Sequence, residues 1–187
     1  MAPHSVDDLA RSFERHLRPG NKSPRTIETY LQAVDQFAAH LRANRKANGG
    51  RGLADARGED VEAFVVALLE RHKPATASNR YRGLHAFYRW LEDEEEIPHP
   101  MRKLKPPVVP DQPVPVIGEP QLRRLLAVCA GKDFEARRDT AIILLLIDAG
   151  PRRSEFAGMR LDAVDFEYEV IRVVGKGGRQ RALPLGR

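Results

Sequence analysis

Residues 98–115 read PHPMRKLKPPVVPDQPVP and hold seven of the chain's fourteen prolines. Proline has no backbone N–H to donate and its ring fixes φ, so this stretch cannot form a helix or a central strand. An extended polyproline form is the conformation that such a composition favours. We therefore predict an interdomain linker at residues 106–117, which joins a first domain at residues 1–105 to a second at residues 118–187.

Four amphipathic segments precede the linker. Apolar residues recur there at helical spacing, from Val6 to Leu17, from Ile27 to Leu41, from Val61 to Leu69 and from Tyr81 to Leu91. Four amphipathic helices with short connections predict a compact bundle.

The pattern after the linker is different. Helices are predicted from Leu122 to Cys129 and from Phe134 to Asp148, and the second is apolar on nearly every side in its later half, which predicts a central, buried helix. A short helix follows from Pro151. Two β-rich runs, residues 169–174 and 179–183, flank a Gly-Lys-Gly-Gly turn and predict a hairpin. The expected fold is mainly α: a four-helix bundle, a Pro-rich linker, then a partial α+β domain.

Composition excludes several classes of protein. A hydrophobic content of 42% is too high for a disordered chain, and a net charge of +5 permits a nucleic-acid partner. The longest uninterrupted apolar run, Ala141–Ile147, is too short for a bilayer, so we expect no membrane partner and a cytoplasmic, nucleoid-associated protein. The six histidines are scattered and form no ligand pair, so no metal site is expected.

Arg152 and Arg153 follow Pro151, which fixes a helical φ and would place both arginines on the first turn of a helix. Free amides and the helix dipole favour an anion there, and a guanidinium can bind two phosphate oxygens at once. Glu155, three residues after Arg152, lies on the same face and could hold that guanidinium. An ordinary surface helix with an internal ion pair is the alternative.

Lys176 is flanked by Gly175, Gly177 and Gly178, which would let the lysine approach the backbone of a ligand closely. Desolvation lowers the pKa of a lysine, which suits a general acid. A nucleotide P-loop fits poorly, because Val170 stands where that pattern needs glycine and Gly177 stands where Ser or Thr would bind magnesium. The alternative is a plain hairpin turn with a solvated lysine.

Two predicted helix faces are basic and amide-rich, with few carboxylates, which suits phosphate and base-edge contacts. The face on the second helix comprises Arg25, Thr29, Gln32 and Gln36, and the face on the fourth comprises Ser78, Arg82, His85 and Arg89. Ordinary solvated helix faces are the alternative.

Together these residues resemble the tyrosine recombinase, or phage integrase, family over nearly the whole chain. The first 105 residues resemble its helical, SAM-like core-binding domain at residues 23–30, at Asn79-Arg80 and at residues 87–91. The remainder resembles the start of its catalytic domain at Gly150-x-Arg152-x-Ser154-Glu155 and at residues 175–185.

The resemblance implies roles for particular residues. Arg152 would be the arginine that stabilises the pentacoordinate phosphate, Lys176 the lysine that protonates the departing 5′-hydroxyl, and Glu155 the acid that supports the arginine. Asn79 would join the DNA contacts. The implied partners are the double-stranded DNA of a recombination site and other recombinase subunits, with no metal, nucleotide or other cofactor.

The chain also departs from the family pattern. Family members continue with a His-x-x-Arg pair and a nucleophilic tyrosine, whereas every histidine here precedes Arg152 and every tyrosine precedes Lys176. We therefore expect a recombinase fragment that binds DNA and does not cleave it alone. Because the later helices of the catalytic domain are missing, we also expect apolar surface at residues 141–147 to be exposed. A non-enzymatic regulator of transcription or of recombination direction, built on the same fold, is the alternative. A metal-dependent nuclease using Lys176 is a third interpretation, disfavoured by the lack of clustered carboxylates.

Overall fold

The computed structural model describes residues 6–20 and 22–186. The chain divides into two compact units, residues 1–112 and 113–187. Residues 104–118, all of them described, form neither helix nor strand, as the proline content predicts. The division between the units lies within this stretch. The predicted fold class is confirmed, since the described residues are mainly helical with one small sheet.

The first unit contains the four predicted helices. They are α1 (Val6–Leu17), α2 (Pro24–Ala43), α3 (Gly58–Arg71) and α4 (Pro74–Glu95). α2 begins where it does because the Ser23 hydroxyl accepts the Thr26 N–H at 3.2 Å and Pro24 supplies a helical φ at the first turn.

α4 is the central helix of this unit, and its apolar side meets the other three helices. Phe87 contacts Phe13 of α1, with ring centroids 5.3 Å apart, and Tyr88 contacts Phe37 of α2 at 6.3 Å. The Tyr88 hydroxyl, which is buried, donates a hydrogen bond to the Leu53 carbonyl at 3.0 Å. α4 therefore presents only its opposite side to solvent.

The described residues of the second unit form three α-helices, two short 3-10 turns and a three-stranded antiparallel sheet. The α-helices and strands are α5 (Glu119–Val128), α6 (Phe134–Asp148), α7 (Arg153–Ala157), β1 (Val164–Asp165), β2 (Val170–Val174) and β3 (Gln180–Pro184). The strand order is β1-β2-β3, with Ile171 opposite Leu183 and Val173 opposite Arg181. The predicted hairpin is confirmed as β2 and β3, whereas the short β1 was not predicted.

The prediction that α6 is a central, buried helix is wrong, whereas the expectation of exposed apolar surface at residues 141–147 agrees with the structure. Among the described residues, Ile171, Val173 and Leu183 form the buried core of the second unit, and Leu145 is the α6 side chain that packs against it. Within the described residues no side chain of α6 is buried, and Leu144 and Ile147 are each 49% exposed. A helix that is apolar all round is buried only when other elements cover its sides, and here the sheet covers one.

Among the described residues, no helix combines the length and the hydropathy that crossing a bilayer requires.

Candidate functional site

The exposed side of α4 borders a groove of about 580 Å³ in the first unit. It is lined by Tyr30, Ser78, Tyr81, Arg82, His85, Ala86, Arg89, Leu104, Pro106 and Pro107. We call this the α4 groove. Arg82, His85 and Arg89 are exposed along it, because residues three, four and seven apart project from the same side of a helix. The α4 residues that the sequence grouped therefore meet at one surface.

Ser78 also lines the α4 groove, but the prediction that it is exposed is wrong. Only 6% of its surface is accessible. Its neighbours Ala77 and Tyr81 are core residues, and a short side chain at the border of the core ends below the longer side chains around it. Ser78 therefore contributes to the floor of the groove.

The α2 residues lie outside the α4 groove, and each has a partner within the protein. Arg25 donates to the Glu28 carboxylate at 2.8 Å, and the Thr29 hydroxyl donates to the Arg25 carbonyl at 2.7 Å. Gln32 is exposed, as is Asn79 on α4, which does not line the groove either. The two predicted faces are therefore separate sets of residues.

Arg80 connects α2 and α4 and was not predicted as a site residue. Its Nε donates to Gln36 Oε1 at 2.7 Å and its Nη2 donates to Gln32 Oε1 at 2.8 Å. Burial lowers the pKa of Arg80, and the charge of Arg25 lowers it further. Amide oxygens that the sequence offered for base contact thus hold an arginine. One sign of this contact was present in the sequence, since Arg80 directly precedes Tyr81, where the apolar pattern of α4 begins.

A buried histidine lies behind His85. The His99 ring centroid is 4.7 Å from that of His85, and His99 Nδ1 accepts the Met101 N–H at 3.1 Å. Burial lowers the pKa of His99, and so does the neighbouring His85, while Glu92 opposes them. A depressed pKa favours the neutral ring, so His99 adds no charge behind the groove at neutral pH.

In the second unit, α7 begins at Arg153, so the prediction of a start at Pro151 is wrong by two residues. Arg152 precedes the helix with an extended backbone, at φ −66° and ψ 150°. The reason is Glu155, the third residue of the helix, whose Oε2 accepts the Arg152 N–H at 2.8 Å. A carboxylate at this position caps the helix and fixes the backbone of the residue before it.

The Glu155 carboxylate also binds two guanidinium groups. Arg152 Nη1 donates to Oε1 at 2.9 Å, the contact that the spacing predicts, and Arg181 Nη2 donates to Oε2 at 2.7 Å. The Glu155 side chain is 1% exposed, whereas that of Arg152 is 65% exposed. Hydrogen bonds from Arg181, and then from the Arg152 N–H, lower the pKa of Glu155 from its ordinary 4.5 to about 2. We call these three residues the Arg152–Glu155–Arg181 cluster.

Arg181 is a site residue that the sequence analysis left without a role. It lies two residues before the buried Leu183, so both side chains project from the core-facing side of β3. An arginine on that side of a strand indicates a buried counter-ion, and this was the signal available in the sequence.

The turn that carries Lys176 begins beside this cluster. A Cβ atom on Gly175 would lie 3.0 Å from Glu155 Oε1 and 4.0 Å from Arg152 Nη1, so only glycine fits there without displacing a neighbour. The Gly175 N–H donates to the Arg179 carbonyl at 2.7 Å and closes the turn. The Lys176 side chain lies outside the described part of the structure, but its chain neighbour Gly175 approaches the Arg152 guanidinium.

As to metals, residues 6–20 and 22–186 contain no group of three or more His, Cys, Asp or Glu side chains placed to hold an ion.

Two family models match the chain in succession. The N-terminal SAM-like domain of phage integrase matches residues 9–97, and the phage integrase family model matches residues 115–187. The first covers α4, and the second covers the Arg152–Glu155–Arg181 cluster.

Two tyrosine recombinases are similar to this protein along most of the chain. Tyrosine recombinase XerC of Syntrophus aciditrophicus is 28% identical, over 97% of this chain and 60% of the relative. Tyrosine recombinase XerD of Neisseria meningitidis serogroup B is 33% identical, over 88% of this chain and 54% of the relative. The chain thus spans little more than half the length of these relatives.

Solved structures agree on the fold. A lambda integrase tetramer bound to a Holliday junction matches with a TM-score of 0.74 at 13% identity, over 98% of this chain and 52% of the integrase chain. The XerH recombinase bound to its difH substrate matches with a TM-score of 0.68 at 16% identity, over 96% and 53% respectively. With both family models matched in order on this fold, the chain belongs to the tyrosine recombinase, or phage integrase, family.

Proposed function

We propose that this chain binds the duplex DNA of a recombination site, as the DNA-binding domain and the start of the catalytic domain of a site-specific recombinase. The observation that carries the proposal is the α4 groove, where Arg82, His85 and Arg89 are exposed on one side of a helix. Membership of the family supports it, as do the DNA substrates bound by the XerH and lambda integrase structures.

The spacing of the groove residues suits duplex DNA. Arg82 and Arg89 are seven residues apart, roughly 10 Å along the helix axis at about 1.5 Å per residue. The major groove is about 12 Å wide and admits a helix, so the two guanidiniums can contact different phosphates or a phosphate and a base edge. The exposed Arg25, Gln32 and Asn79 would add contacts outside the α4 groove.

In the second unit we assign phosphate recognition to the Arg152–Glu155–Arg181 cluster. The Arg152 guanidinium is largely exposed and is held from below by the buried Glu155, which orients it without covering it. An oriented arginine stabilises the negative charge that develops on a phosphate under attack. Lys176, which follows Gly175 at the edge of the cluster, is proposed to protonate the departing 5′-hydroxyl.

These 187 residues are proposed to bind DNA without cutting it. In the family, a tyrosine that follows the hairpin attacks the phosphate, and the resulting tyrosine–phosphate bond conserves the energy of the broken strand without ATP or metal. Here Tyr30, Tyr81, Tyr88 and Tyr168 all precede Lys176. The hydroxyl groups of Tyr81 and Tyr88 each donate to a backbone carbonyl in the first unit. Cleavage would therefore require groups supplied by further residues or by other recombinase subunits.

Fluorescence anisotropy with a short duplex of mixed sequence, at two ionic strengths, tests the DNA-binding proposal. Wild type should bind with strong salt dependence, because each phosphate contact releases counterions. Arg82→Ala/Arg89→Ala should reduce the slope of log K against log salt by about 2, since each phosphate that the protein neutralises adds roughly 0.9 to that slope. Arg11→Ala/Arg42→Ala removes the same charge from exposed helix positions outside the α4 groove and should change the slope much less.

Absence of binding at low salt would refute the proposal, and equal effects of the two double variants would remove the α4 groove from it. Cleavage is tested separately by incubating the chain with nicked duplex DNA and separating the products on a denaturing gel. We expect no covalent protein–DNA adduct, and an adduct that survives denaturation would show that one of the four tyrosines acts as a nucleophile.

A further inference from the structure

We propose that Arg181 is a positioning residue: through the shared Glu155 carboxylate it fixes the Arg152 guanidinium to the hairpin that carries Lys176 and leaves the cluster positively charged. This inference rests on the proposed role of Arg152 in phosphate recognition. Arg181 lies on β3, after the turn, and no role was assigned to it from the sequence.

The first argument is geometric. Arg152 ends the segment before α7, whereas Arg181 belongs to β3, twenty-six residues beyond Glu155. Arg181 donates from both Nη2 and Nε, at 2.7 and 3.2 Å, so its guanidinium meets both oxygens of Glu155. A two-point contact of this kind fixes the plane of the carboxylate, and the carboxylate in turn fixes Arg152.

The second argument concerns charge. Glu155 is buried and its pKa is lowered to about 2, so it carries a full negative charge at neutral pH. Paired with Arg152 alone it would form a neutral unit, and the attraction of Arg152 for a phosphate would be weakened. Arg181 supplies a second positive charge, and the three groups together then carry a net charge of +1.

The third argument concerns the turn. Gly175 lies against Glu155 Oε1 with no space for a side chain, and β2 is held to β3 by the pairing of Val173 with Arg181. The Glu155 carboxylate, which α7 carries, therefore contacts Arg152 just before the helix, Arg181 on β3 and Gly175 at the turn. A change at Arg181 should shift Arg152 relative to the turn without removing either one.

A pH titration of the Glu155 carboxyl carbon by NMR tests the link directly. The wild-type pKa should lie near 2 and should rise toward 4.5 in Arg181→Gln, which keeps much of the side-chain length and loses the charge. Arg181→Lys restores the charge without the two-point geometry and should give an intermediate value. Arg179→Gln removes the same charge from an exposed position two residues earlier and should titrate like wild type.

A double-mutant cycle on DNA affinity tests positioning. Arg181→Gln should weaken binding severalfold when Arg152 is present and cause no further loss in an Arg152→Gln background, because Arg181 acts through Arg152. Independent, additive losses would mean that Arg181 contacts DNA itself and would overturn the inference, as would an unchanged titration of Glu155. If wild type fails to bind DNA, the proposed function fails, while the titration still decides whether Arg181 controls Glu155.

Discussion

Replacing Gly83 by alanine tests the closest approach of two helices in the first unit. Gly83 lies on α4, and a Cβ atom there would be 2.8 Å from the Ala33 Cβ of α2 and 3.3 Å from the Tyr30 Cα. Carbon atoms pack at about 3.5–4.0 Å, so the added methyl overlaps its neighbours. Neither neighbour is the end of a flexible side chain, so relief requires that one helix moves.

Two opposing effects set the size of the change. Alanine in place of glycine in the middle of a helix stabilises by about 1 kcal/mol. Forcing an extra methyl into a packed core costs about 1–3 kcal/mol. We therefore expect Gly83→Ala to lower the free energy of unfolding by about 1 kcal/mol net, which corresponds to a fall in Tm of roughly 4–8 °C for a unit of this size.

The single tryptophan, Trp90, provides the assay, because it is 5% exposed in the first unit and its fluorescence reports unfolding there. The control is a swap. Ala33→Gly removes the methyl that the new alanine meets, so Gly83→Ala/Ala33→Gly should be more stable than the sum of the two single changes by about 1–2 kcal/mol. Strict additivity, or a rise in Tm for Gly83→Ala, would refute the close packing of α2 against α4.

Three further predictions concern buried polar groups. Tyr88→Phe leaves the Leu53 carbonyl without its hydrogen bond and should cost about 1–3 kcal/mol in urea unfolding followed by Trp90 fluorescence, and a cost near zero would contradict the bond. Burial lowers the pKa of His99 below its ordinary 6.5. Its contribution to the stability of the first unit should therefore be complete above pH 6.5 and should fall as the pH drops toward the folded-state pKa. The same urea unfolding, repeated across this pH range, measures the change. Hydrogen bonds from Arg181 and Arg152 lower the pKa of Glu155 from 4.5 to about 2. Its stabilisation of the second unit should therefore persist above pH 4.5 and be lost between pH 4.5 and 2. NMR amide signals of the sheet would follow this loss, and a loss already complete at pH 4.5 would contradict the prediction.

The helices could be predicted from the sequence because their signals are local. Apolar residues at helical spacing on α4, from Tyr81 to Leu91, identify both the helix and its buried side. Ser23-Pro24 identifies the start of α2 within one residue. The strand β1 could not be found in this way, because two residues, Val164 and Asp165, carry no periodicity and exist as a strand only through pairing with β2.

Burial was harder to predict than helix content, because it depends on what covers a residue. The apolar second half of α6 suggested a central helix, yet Leu144 and Ile147 remain about half exposed. At Ser78 the error runs the other way. Its place among the polar residues of α4 suggested that it is exposed, but the longer side chains around it bury it. Periodicity gives the direction of a side chain, and neighbours distant in sequence decide its accessibility.

The candidate sites show the same difference between local contacts, which the sequence predicts, and long-range contacts, which it does not. Arg152 and Glu155 are three residues apart, so their contact is local, although it forms through the cap of α7 rather than along the helix. Arg181 and Arg80 reach their partners across 26 and 44–48 residues respectively, and no local pattern predicts such pairs. One sign of each pair was present in the sequence. Arg181 lies on the core-facing side of β3, and Arg80 lies beside the apolar pattern of α4.

Each of these two long-range arginines is bound within the protein and lies near an arginine that stays exposed. Arg80 occupies the amide oxygens of Gln32 and Gln36 and lies half-buried between two helices, while Arg82, two residues later, is exposed in the α4 groove. In the second unit, Arg181 holds the carboxylate that orients Arg152, whose side chain remains 65% exposed. A guanidinium meant for a phosphate must be oriented and also left uncovered, and one arginine cannot easily satisfy both requirements. In the second unit the proposed function divides these requirements, since Arg181 fixes the carboxylate and Arg152 stays uncovered, so loss of Arg181 should weaken phosphate recognition although Arg181 need not touch the ligand.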